Sequence, residues 1–482
     1  MRYSTTVRMK NFLGLYQDGD GIGISPRYAL EAVNVETPGG VLGSVARSRY
    51  NWAILTSPMT TLMHLHRRWH ANENEKDVLL ACGGGRLYYK LPTDIVWQPV
   101  YLSGQMAMFQ QNDWSWVTYE INPPGANVPV DVLLMSNEKD GMFCFRGDTM
   151  TLSIVLTPKK FGVIARYAER IWGGGIEDDP DMLVYSAPFD PFNWSQNNQI
   201  PEDGAGDIMQ PSWDGDSFTA LRQFGSQLIA MKKRRIWRIL GTDPGQYTFR
   251  EQYGGGAMAT NTIAVDGERI LMLGGEGMLY YDGISVKPFE EPFSRQVFAR
   301  MNRNAFDRAC ACLYRDTYYC ALPLDGAETN NAVLLYNTRE KTWLLREGLT
   351  VCSFLPMDNM LLYTSDTVPG RYWEWGEDVR MAGTMVPAKW IGPWQERGDK
   401  ALQGGWTVHL AIEAQAQMEI FITIRTEKKA RTKRLKVLPG TKPRKLVFGG
   451  YGRRWRLEIA CYDPVAWRIP GGIQVDAEID GQ

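Results

Sequence analysis

Residues 77–91 read DVLLACGGGRLYYKL and contain the pattern that decides the fold. The residues from Val78 to Cys82 are apolar, three glycines follow, and a second run extends from Leu87 to Lys90. Short apolar runs separated by glycine are typical of two antiparallel strands joined by a tight turn. The segment therefore predicts a β-hairpin.

The same pattern recurs along most of the chain. Further copies lie at 131–147, 226–241, 268–283 and 332–348, and a copy without the tight turn at 166–194. The spacing between copies, about 35 to about 55 residues, is near the length of a four-stranded propeller blade. Sheets with apolar residues on both faces need neighbours on both sides, and radial packing supplies them. We predict an all-β protein with a propeller of roughly six to eight blades; stacked β-sandwiches are the alternative.

The pattern changes near residue 380. Strands with strict alternation follow, as in Trp406, Val408, Leu410 and Ile412 with polar or small residues between them. Such alternation is typical of a half-buried antiparallel sheet. We predict a propeller over residues 1–380 and a C-terminal β-sandwich over 381–482.

Very little helix is expected. Only 290–303 has helical periodicity, with Phe293, Val297, Phe298 and Met301 on one face. We predict a short surface helix between two blades.

The overall composition narrows the range of functions. The chain has 482 residues, and 53 Lys and Arg nearly cancel 54 Asp and Glu, so no global charge favours nucleic acid or a membrane surface. Seven scattered cysteines without a CxxC motif favour a reducing compartment during folding. The first residues contain no apolar run of signal-peptide length. We expect a protein made in the cytoplasm and not inserted in a membrane.

Candidate metal sites are weak. His64, His66 and His70 follow one another closely, but no third ligand is evident from the sequence and two arginines lie between them. Cys310, Cys312 and Cys320 lack the spacing of zinc sites and fit a packed core. The acidic loops at 18–21 and 177–181 do not match the EF-hand pattern and contain ordinary turn residues. We predict no metal site.

Catalytic and cofactor motifs are also missing. The glycine runs at 83–85, 173–175 and 254–256 are not followed by Lys-Ser or Lys-Thr, so they do not form phosphate loops. G-x-S-x-G and HExxH are absent, and the chain has only four histidines. We predict no cofactor and no enzymatic activity.

The most notable charge feature lies between Arg425 and Arg456, where Glu427 is the only acidic residue. Its residues are suited to contact a partner or a neighbouring subunit, although a solvated face is an equal alternative and tight DNA binding a weaker one. The residues predicted for this contact are Lys428, Lys429, Arg431, Lys433, Arg434, Lys436, Arg453 and Arg454.

Several stretches resemble a known family. The opening, 11–50, with Val33-Asn34-Val35 after a turn, and the segments 183–194, 228–244 and 255–283 resemble the tail hub or nozzle proteins of short-tailed bacteriophages, also called packaged-DNA-stabilisation proteins. The resemblance implies a ring of identical subunits, commonly six, below the portal and adaptor of the virion tail. Such a ring extends the DNA channel, holds packaged DNA until ejection and docks other tail proteins. DNA passes through it without tight binding.

Two other functions remain open at this point. A propeller that binds a receptor or a carbohydrate is the first, because aromatic rings such as Trp194 or Trp213 stack on sugars. A glycoside hydrolase with paired carboxylates is the second, with Asp178, Asp179 and Asp181 as its candidates.

Overall fold

The computed structural model describes most of the chain, with short gaps. The described residues are 3–17, 20–44, 49–50, 55–125, 127–210, 215–252, 254–289, 295–366, 370–375, 387–397 and 402–479.

Five short strands come first in the chain. They are β1 (Tyr3–Met9), β2 (Glu31–Val33), β3 (Val35–Glu36), β4 (Leu42–Ser44) and β5 (Arg49–Tyr50).

Seven four-stranded units then follow one another, and we call them blades 1 to 7. Blade 1 contains β6 (Thr61–His66), β7 (Asp77–Gly83), β8 (Arg86–Lys90) and β9 (Gln98–Pro99). Blade 2 contains two short strands at its outer edge, β10 (Tyr101–Leu102) and β11 (Gln105–Met106), and then β12 (Ser115–Ile121), β13 (Val130–Asn137), β14 (Gly141–Arg146) and β15 (Thr151–Val155). Blade 3 contains β16 (Val163–Tyr167), β17 (Arg170–Gly174), β18 (Met182–Tyr185) and β19 (Gly206–Met209).

The remaining four blades complete the series. Blade 4 contains β20 (Ala220–Phe224), β21 (Gln227–Met231), β22 (Ile236–Leu240) and β23 (Thr248–Gln252), and blade 5 contains β24 (Ala264–Val265), β25 (Ile270–Gly274), β26 (Gly277–Tyr281) and β27 (Val286–Pro288). Blade 6 contains β28 (Cys310–Tyr314), β29 (Thr317–Leu322), β30 (Ala332–Asn337) and β31 (Thr342–Glu347). Blade 7 contains β32 (Ser353–Pro356), β33 (Leu361–Thr364) and β34 (Tyr372–Trp375) together with β5. Six blades are separate sheets, and blade 6 continues into a sheet of the C-terminal region.

The blades close into a ring because every neighbouring pair shares a buried apolar layer. Leu65 of blade 1 packs in one cluster with Leu133 of blade 2, and equivalent clusters join each later pair. The last cluster joins Leu355 of blade 7 to Leu62 of blade 1. Apolar side chains on both faces of each sheet are thereby removed from water, as radial packing requires. The predicted all-β propeller is confirmed, and the blades do not form the alternative fold of stacked β-sandwiches.

The last strands build two further antiparallel sheets. They are β35 (Ala388–Ile391), β36 (Gln395–Glu396), β37 (Gln403–Ala414), β38 (Met418–Thr426), β39 (Ala430–Val437), β40 (Gly440–Gly452), β41 (Arg454–Cys461), β42 (Trp467–Ile469) and β43 (Ile473–Ile479). Trp406, Val408, Leu410 and Ile412 are buried while the residues between them are partly exposed, as the alternation predicted. The inward faces of both sheets share one apolar cluster, which is the arrangement of a β-sandwich.

The first 44 residues do not lie where the predicted boundary put them. β1 pairs with β43 over seven residues, β4 pairs with β42, and β2 pairs with β35. Met9, Phe12 and Leu42 belong to the core cluster that contains the sandwich residues. The propeller therefore begins after this segment, rather than at residue 1. Burial of these apolar side chains against the C-terminal sheets is the physical reason.

Helix is scarce among the described residues. The α-helix α1 covers Arg295–Arg300, inside the predicted 290–303, and Val297 and Met301 are buried as predicted, whereas Phe293 lies outside the described residues. Short 3-10 turns lie at Pro38–Gly40, Glu73–Glu75, Pro201–Asp203, Pro244–Gln246, Thr260–Thr262 and Arg303–Arg308. No helix in the described ranges is long and apolar enough to cross a membrane.

Candidate interaction surface

Four of the eight predicted contact residues lie on the edge strand β39, two precede it, and the other two, Arg453 and Arg454, follow the edge strand β40. β39 pairs only with β38 at the end of its sheet, and β40 pairs with β37 at the edge of the other sheet. All five residues from Ala430 to Arg434 are exposed, so side chains on both faces of this part of β39 reach solvent. We call the surface formed by residues 428–436 and 453–454 the basic face.

One cation of the basic face has a carboxylate partner. The Nε of Arg434 donates to Oε2 of Glu419 at 2.7 Å, and this hydrogen bond raises the pKa of Arg434. Lys428 lies 5.8 Å from the centre of the Tyr451 ring and Lys433 lies 5.7 Å from that of Phe448. Seven of the eight predicted residues make no ion pair with a carboxylate in the described part of the chain.

Residues 453 and 454 are positioned by hydrogen bonds from their backbone N–H groups, and the side chain of the second lies beside an aromatic ring. Glu427 accepts hydrogen bonds from the backbone N–H groups of Arg453 at 3.0 Å and Arg454 at 3.4 Å. The guanidinium of Arg454 lies 5.3 Å from the centre of the Trp394 ring, and that of Arg456 lies 4.7 Å from it. Because the one acidic side chain of the segment accepts hydrogen bonds from backbone amides, the guanidinium groups of Arg453 and Arg454 are available to an external partner.

The charge of this segment is opposite to that of the rest of the chain. Thirteen Lys and Arg and one Glu between residues 425 and 456 give a net charge of +12. Since the whole chain has a net charge of −1, the remaining residues carry −13. The segment and the rest of the chain therefore have net charges of opposite sign.

A small pocket opens within the basic face. Its volume is about 170 Å³, and Lys428, Lys429 and Arg431 line it together with Tyr451 and the edge of the buried Trp406. Three cations beside an aromatic ring suit a carboxylate side chain of a partner.

Edge strands also need protection for a reason unrelated to any partner. Charged side chains, especially Lys, prevent the unpaired edges of sheets from joining those of other molecules. The position of β39 and β40 agrees with this role, which keeps the solvated face as an alternative to a contact surface.

The histidine cluster is more organised than the sequence suggested. Nε2 of His64 and Nδ1 of His66 both lie 2.8 Å from Oδ1 of Asp77, which is opposite His66 in the pairing of β6 with β7. The carboxylate absent from the sequence neighbourhood is thus supplied by the next strand. In the described ranges no group of three or more such side chains is arranged to hold a metal ion.

The cysteines are packed in apolar surroundings. Cys310, Cys312 and Cys320 are buried free thiols on β28 and β29. Burial raises the pKa of Cys320 to about 12. These thiols are therefore protonated core residues at neutral pH.

The acidic loop at 177–181 is occupied by ion pairs with lysines. Asp179 contacts Lys159 at 2.5 Å, Glu177 contacts Lys139 at 2.9 Å, and Asp181 pairs with Lys232. Asp178 is exposed. Three of the four carboxylates in this loop, which was considered for glycoside hydrolysis or calcium binding, are thus already paired. In the other loop, Asp20 accepts from the backbone of Ile22, and Asp18 lies outside the described residues.

Removal of the Asp181 carboxylate is expected to destabilise the protein strongly. The side chain of Lys232 is fully buried and lies 4.9 Å from the centre of the Phe218 ring, so the substitution removes a carboxylate partner from a buried lysine. We expect Asp181→Asn to lower the free energy of unfolding by about 3–5 kcal/mol. Glu177→Gln, which removes an exposed ion pair with Lys139, should change it by about 1 kcal/mol or less. Chemical denaturation of both variants measures the difference, and equal losses would contradict this assignment.

The aromatic residues considered for sugar binding are not placed as an open platform. Nε1 of Trp194 donates to the carbonyl of Pro191 at 3.0 Å, and its ring packs 5.2 Å from that of Phe161. Trp213 lies outside the described residues. A different group of apolar side chains reaches solvent: four of the five most exposed in the described chain lie in or beside blades 1 to 3, namely Ile95, Met108, Leu156 and Phe189. This exposed group was not predicted from the sequence.

Comparisons with known proteins do not identify a family. No family model and no curated protein matches the chain. Among solved structures, the WD40 domain of Neurospora crassa Pan2 is similar with 9% identity and a TM-score of 0.34, over 67% of this chain and 90% of that one. The extracellular domain of a putative hybrid two-component system from B. thetaiotaomicron is similar with 10% identity and a TM-score of 0.29, over 70% of this chain and 41% of that one. The fold described above rests on the strand pairings and shared cores.

Proposed function

We propose that this chain is a structural component of a bacteriophage tail, the hub or nozzle ring. In this role it extends the DNA channel below the portal and adaptor, retains packaged DNA and docks other tail proteins. It is made in the host cytoplasm, acts in the virion and catalyses no reaction. The resemblance of 11–50 and of three central segments to the tail hub family is the sequence support for this proposal.

The observation that carries the proposal is the charge asymmetry of the chain. A closed ring of identical subunits uses a heterologous contact, in which one surface of a subunit meets a different surface of the next. Seven cations of the basic face lack a carboxylate partner in the described chain, and the residues outside 425–456 carry a net charge of −13, so an acidic region of the next subunit would suit the basic face. Opposite charges on the two sides of a contact orient subunits and prevent incorrect pairing.

The exposed apolar side chains support a second contact. Leu156 and Ile95 are 84% and 83% exposed and are therefore accessible to a partner. Their location in and beside the first two blades suits the docking of another tail protein. Aromatic and apolar residues of this kind form the buried centres of protein interfaces.

The near-neutral chain suits a conduit for DNA. Strong binding of duplex DNA requires many lysines and arginines that contact phosphates. When the basic face is occupied by a neighbouring subunit, the residues outside 425–456 carry a net negative charge, which does not favour phosphate binding. DNA then passes without being held.

Ring assembly is tested by mass photometry of the purified chain at low and high salt. We expect a ring species, most simply a hexamer, that dissociates as salt rises, because contacts between charged surfaces are screened. In the double variant Arg431→Glu/Lys433→Glu, like charges face each other across the contact, and we expect the affinity between subunits to fall by about 100-fold or more.

The matched control changes two exposed cations of blade 4, Arg234→Glu/Arg250→Glu, and should leave assembly unchanged. Equal effects of both double variants would show that net charge, and not the basic face, governs assembly. A wild-type chain that stays monomeric at every salt concentration would contradict the proposal. Specific binding in a glycan array by such a monomer would favour the receptor- or carbohydrate-binding alternative.

A further inference from the structure

A cavity of about 390 Å³ lies on the axis of the propeller. Its lining residues come from six of the seven blades, and the inner parts of six blades meet only at the axis of the ring. One lining residue from each of these blades is Leu62, Trp116, Arg222, Val265, Leu313 and Phe354. The cavity is therefore part of the central channel.

Arg222 is the one charged residue among the described residues that line this cavity. It is the third residue of β20, and its side chain is partly buried. Its Nη1 donates to the backbone carbonyl of Leu221 at 3.0 Å, and it makes no ion pair with a carboxylate in the described part of the chain. A guanidinium has five N–H donors, so most of them have no acceptor in the described protein.

Three more deeply buried cations of the described chain have a carboxylate or several carbonyl groups as partners. Lys232 pairs with Asp181, and Arg346 pairs with Glu36. Arg170 donates to the backbone carbonyls of Ser186, Gly204 and Glu202. Arg222 is partly buried, and this burial lowers its pKa. Unlike the three cations just named, Arg222 has a single acceptor among the described residues, the carbonyl of Leu221.

A neighbouring cavity has a lining that disfavours large polyanions. A second cavity shares Trp114, Ser115, Thr260 and Asn261 with the first, and its lining adds Asp113, Glu138, Asp307 and a single cation, Lys233. A nucleic acid strand meets net negative charge there, whereas a small anion passes with less repulsion.

From this geometry we infer that the axial cavity is a binding site for a small oxyanion, the carboxylate or phosphate group of a small molecule, held by Arg222. The planar guanidinium presents two parallel N–H donors that match two oxygens of such a group. Thr260 and Asn261 line the same space with polar side chains, and Leu62 and Phe354 supply an apolar wall for the remainder of the ligand. The site belongs to one propeller and does not depend on the proposed role in a tail.

Isothermal titration calorimetry with inorganic phosphate and with acetate, at constant ionic strength, tests the site. We expect the wild-type chain to bind at least one of them with one site per chain, and the comparison identifies the preferred oxyanion. Arg222→Gln should weaken binding by about 10-fold or more, and Arg222→Lys, which keeps the charge without the planar fork, by less. The control Arg250→Gln, on the outer strand of the same blade, should bind as the wild type does. Absence of binding of both anions to the wild type, or equal binding by Arg222→Gln, would overturn the inference.

Thermal unfolding in buffer without these oxyanions separates a ligand site from a structural role. If Arg222 serves a ligand, Arg222→Met should unfold at the wild-type temperature or above, since a cation with a single carbonyl acceptor is replaced by an apolar chain of similar length. Added anion should then raise the unfolding temperature of the wild type and leave that of Arg222→Met unchanged. A large loss of stability, or failure to fold, in Arg222→Met would assign the residue to the fold and contradict the inference.

Discussion

A chain that lacks residues 1–44 is expected to have no folded C-terminal sandwich. These residues contribute β1 to β4, and Met9, Phe12, Leu15, Val33, Val35 and Leu42 are all buried in the core cluster that contains the sandwich. At about 1.5–3 kcal/mol for each buried side chain, their removal costs roughly 10 kcal/mol or more, which is comparable to the whole stability of a domain. It also leaves β43 without its seven-residue pairing with β1. We expect aggregation or rapid proteolysis of residues 387–479.

The measurement is limited proteolysis with near-ultraviolet circular dichroism of the shortened chain. A chain that begins at Tyr3 retains every described strand and serves as the control. A protease-resistant C-terminal region in the chain without residues 1–44 would show that the sandwich folds without the N-terminal strands, contrary to this account.

Gly14→Ala is expected to weaken the junction between the N-terminal segment and the propeller. A Cβ at position 14 would lie 1.9 Å from the backbone carbonyl oxygen of Trp343 in blade 6. That oxygen accepts a hydrogen bond from the N–H of Leu15 at 2.7 Å, so relief of the clash breaks this contact. The combined loss of packing and hydrogen bonding should lower the free energy of unfolding by about 2–4 kcal/mol.

A matched substitution controls for the change from glycine to alanine itself. Gly245 has no atom within 4 Å of an added Cβ. Gly245→Ala should change the free energy of unfolding by about 0.5 kcal/mol or less in the same denaturation experiment. If Gly14→Ala is as mild as Gly245→Ala, the close approach of the two segments is not a tight contact.

The blade hairpins could be predicted because their signal is local. Residues 77–91 form β7 and β8 with the glycine turn between them, and Gly84 and Gly85 have φ of 61° and 72°, which glycine adopts without strain. The hairpin of blade 3 has a weaker local signal, because its turn contains no glycine. Its turn uses Ala168 and Glu169 with φ of 49° and 58°, although neither residue type favours this region. Tertiary packing overrides local preference there.

The position of the N-terminal strands could not be predicted for a different reason. β1 and β43 are at opposite ends of the chain, and Asn34 connects three distant segments. Its Nδ2 donates to the carbonyl of Pro387 at 3.1 Å, and its Oδ1 accepts from the N–H of Glu347 at 3.0 Å. Periodicity reports which face of a strand is buried, but not which strand lies beside it. The prediction therefore assigned residues 1–44 to the propeller, whereas β1, β2 and β4 pair with strands of the C-terminal sheets.

The sequence predicted which residues form the candidate surface, but it did not predict where they lie in the fold. The run of cations is visible in the sequence, whereas the location of β39 and β40 at two sheet edges, and the single carboxylate partner at Glu419, depend on the fold. The lone Arg222 carried no sequence signal at all. It is distinguished by its position as the one charged residue among the described residues that line the axial cavity, with a single carbonyl acceptor, and this is visible only in the folded structure.

Electron cryomicroscopy of the purified full-length chain at low salt tests the proposed assembly most directly. We expect class averages with one closed ring of identical subunits around an open centre, in which the β39–β40 edge of each subunit contacts the next. Particles that remain single propellers, or rings whose subunits leave the basic face in solvent, would contradict it.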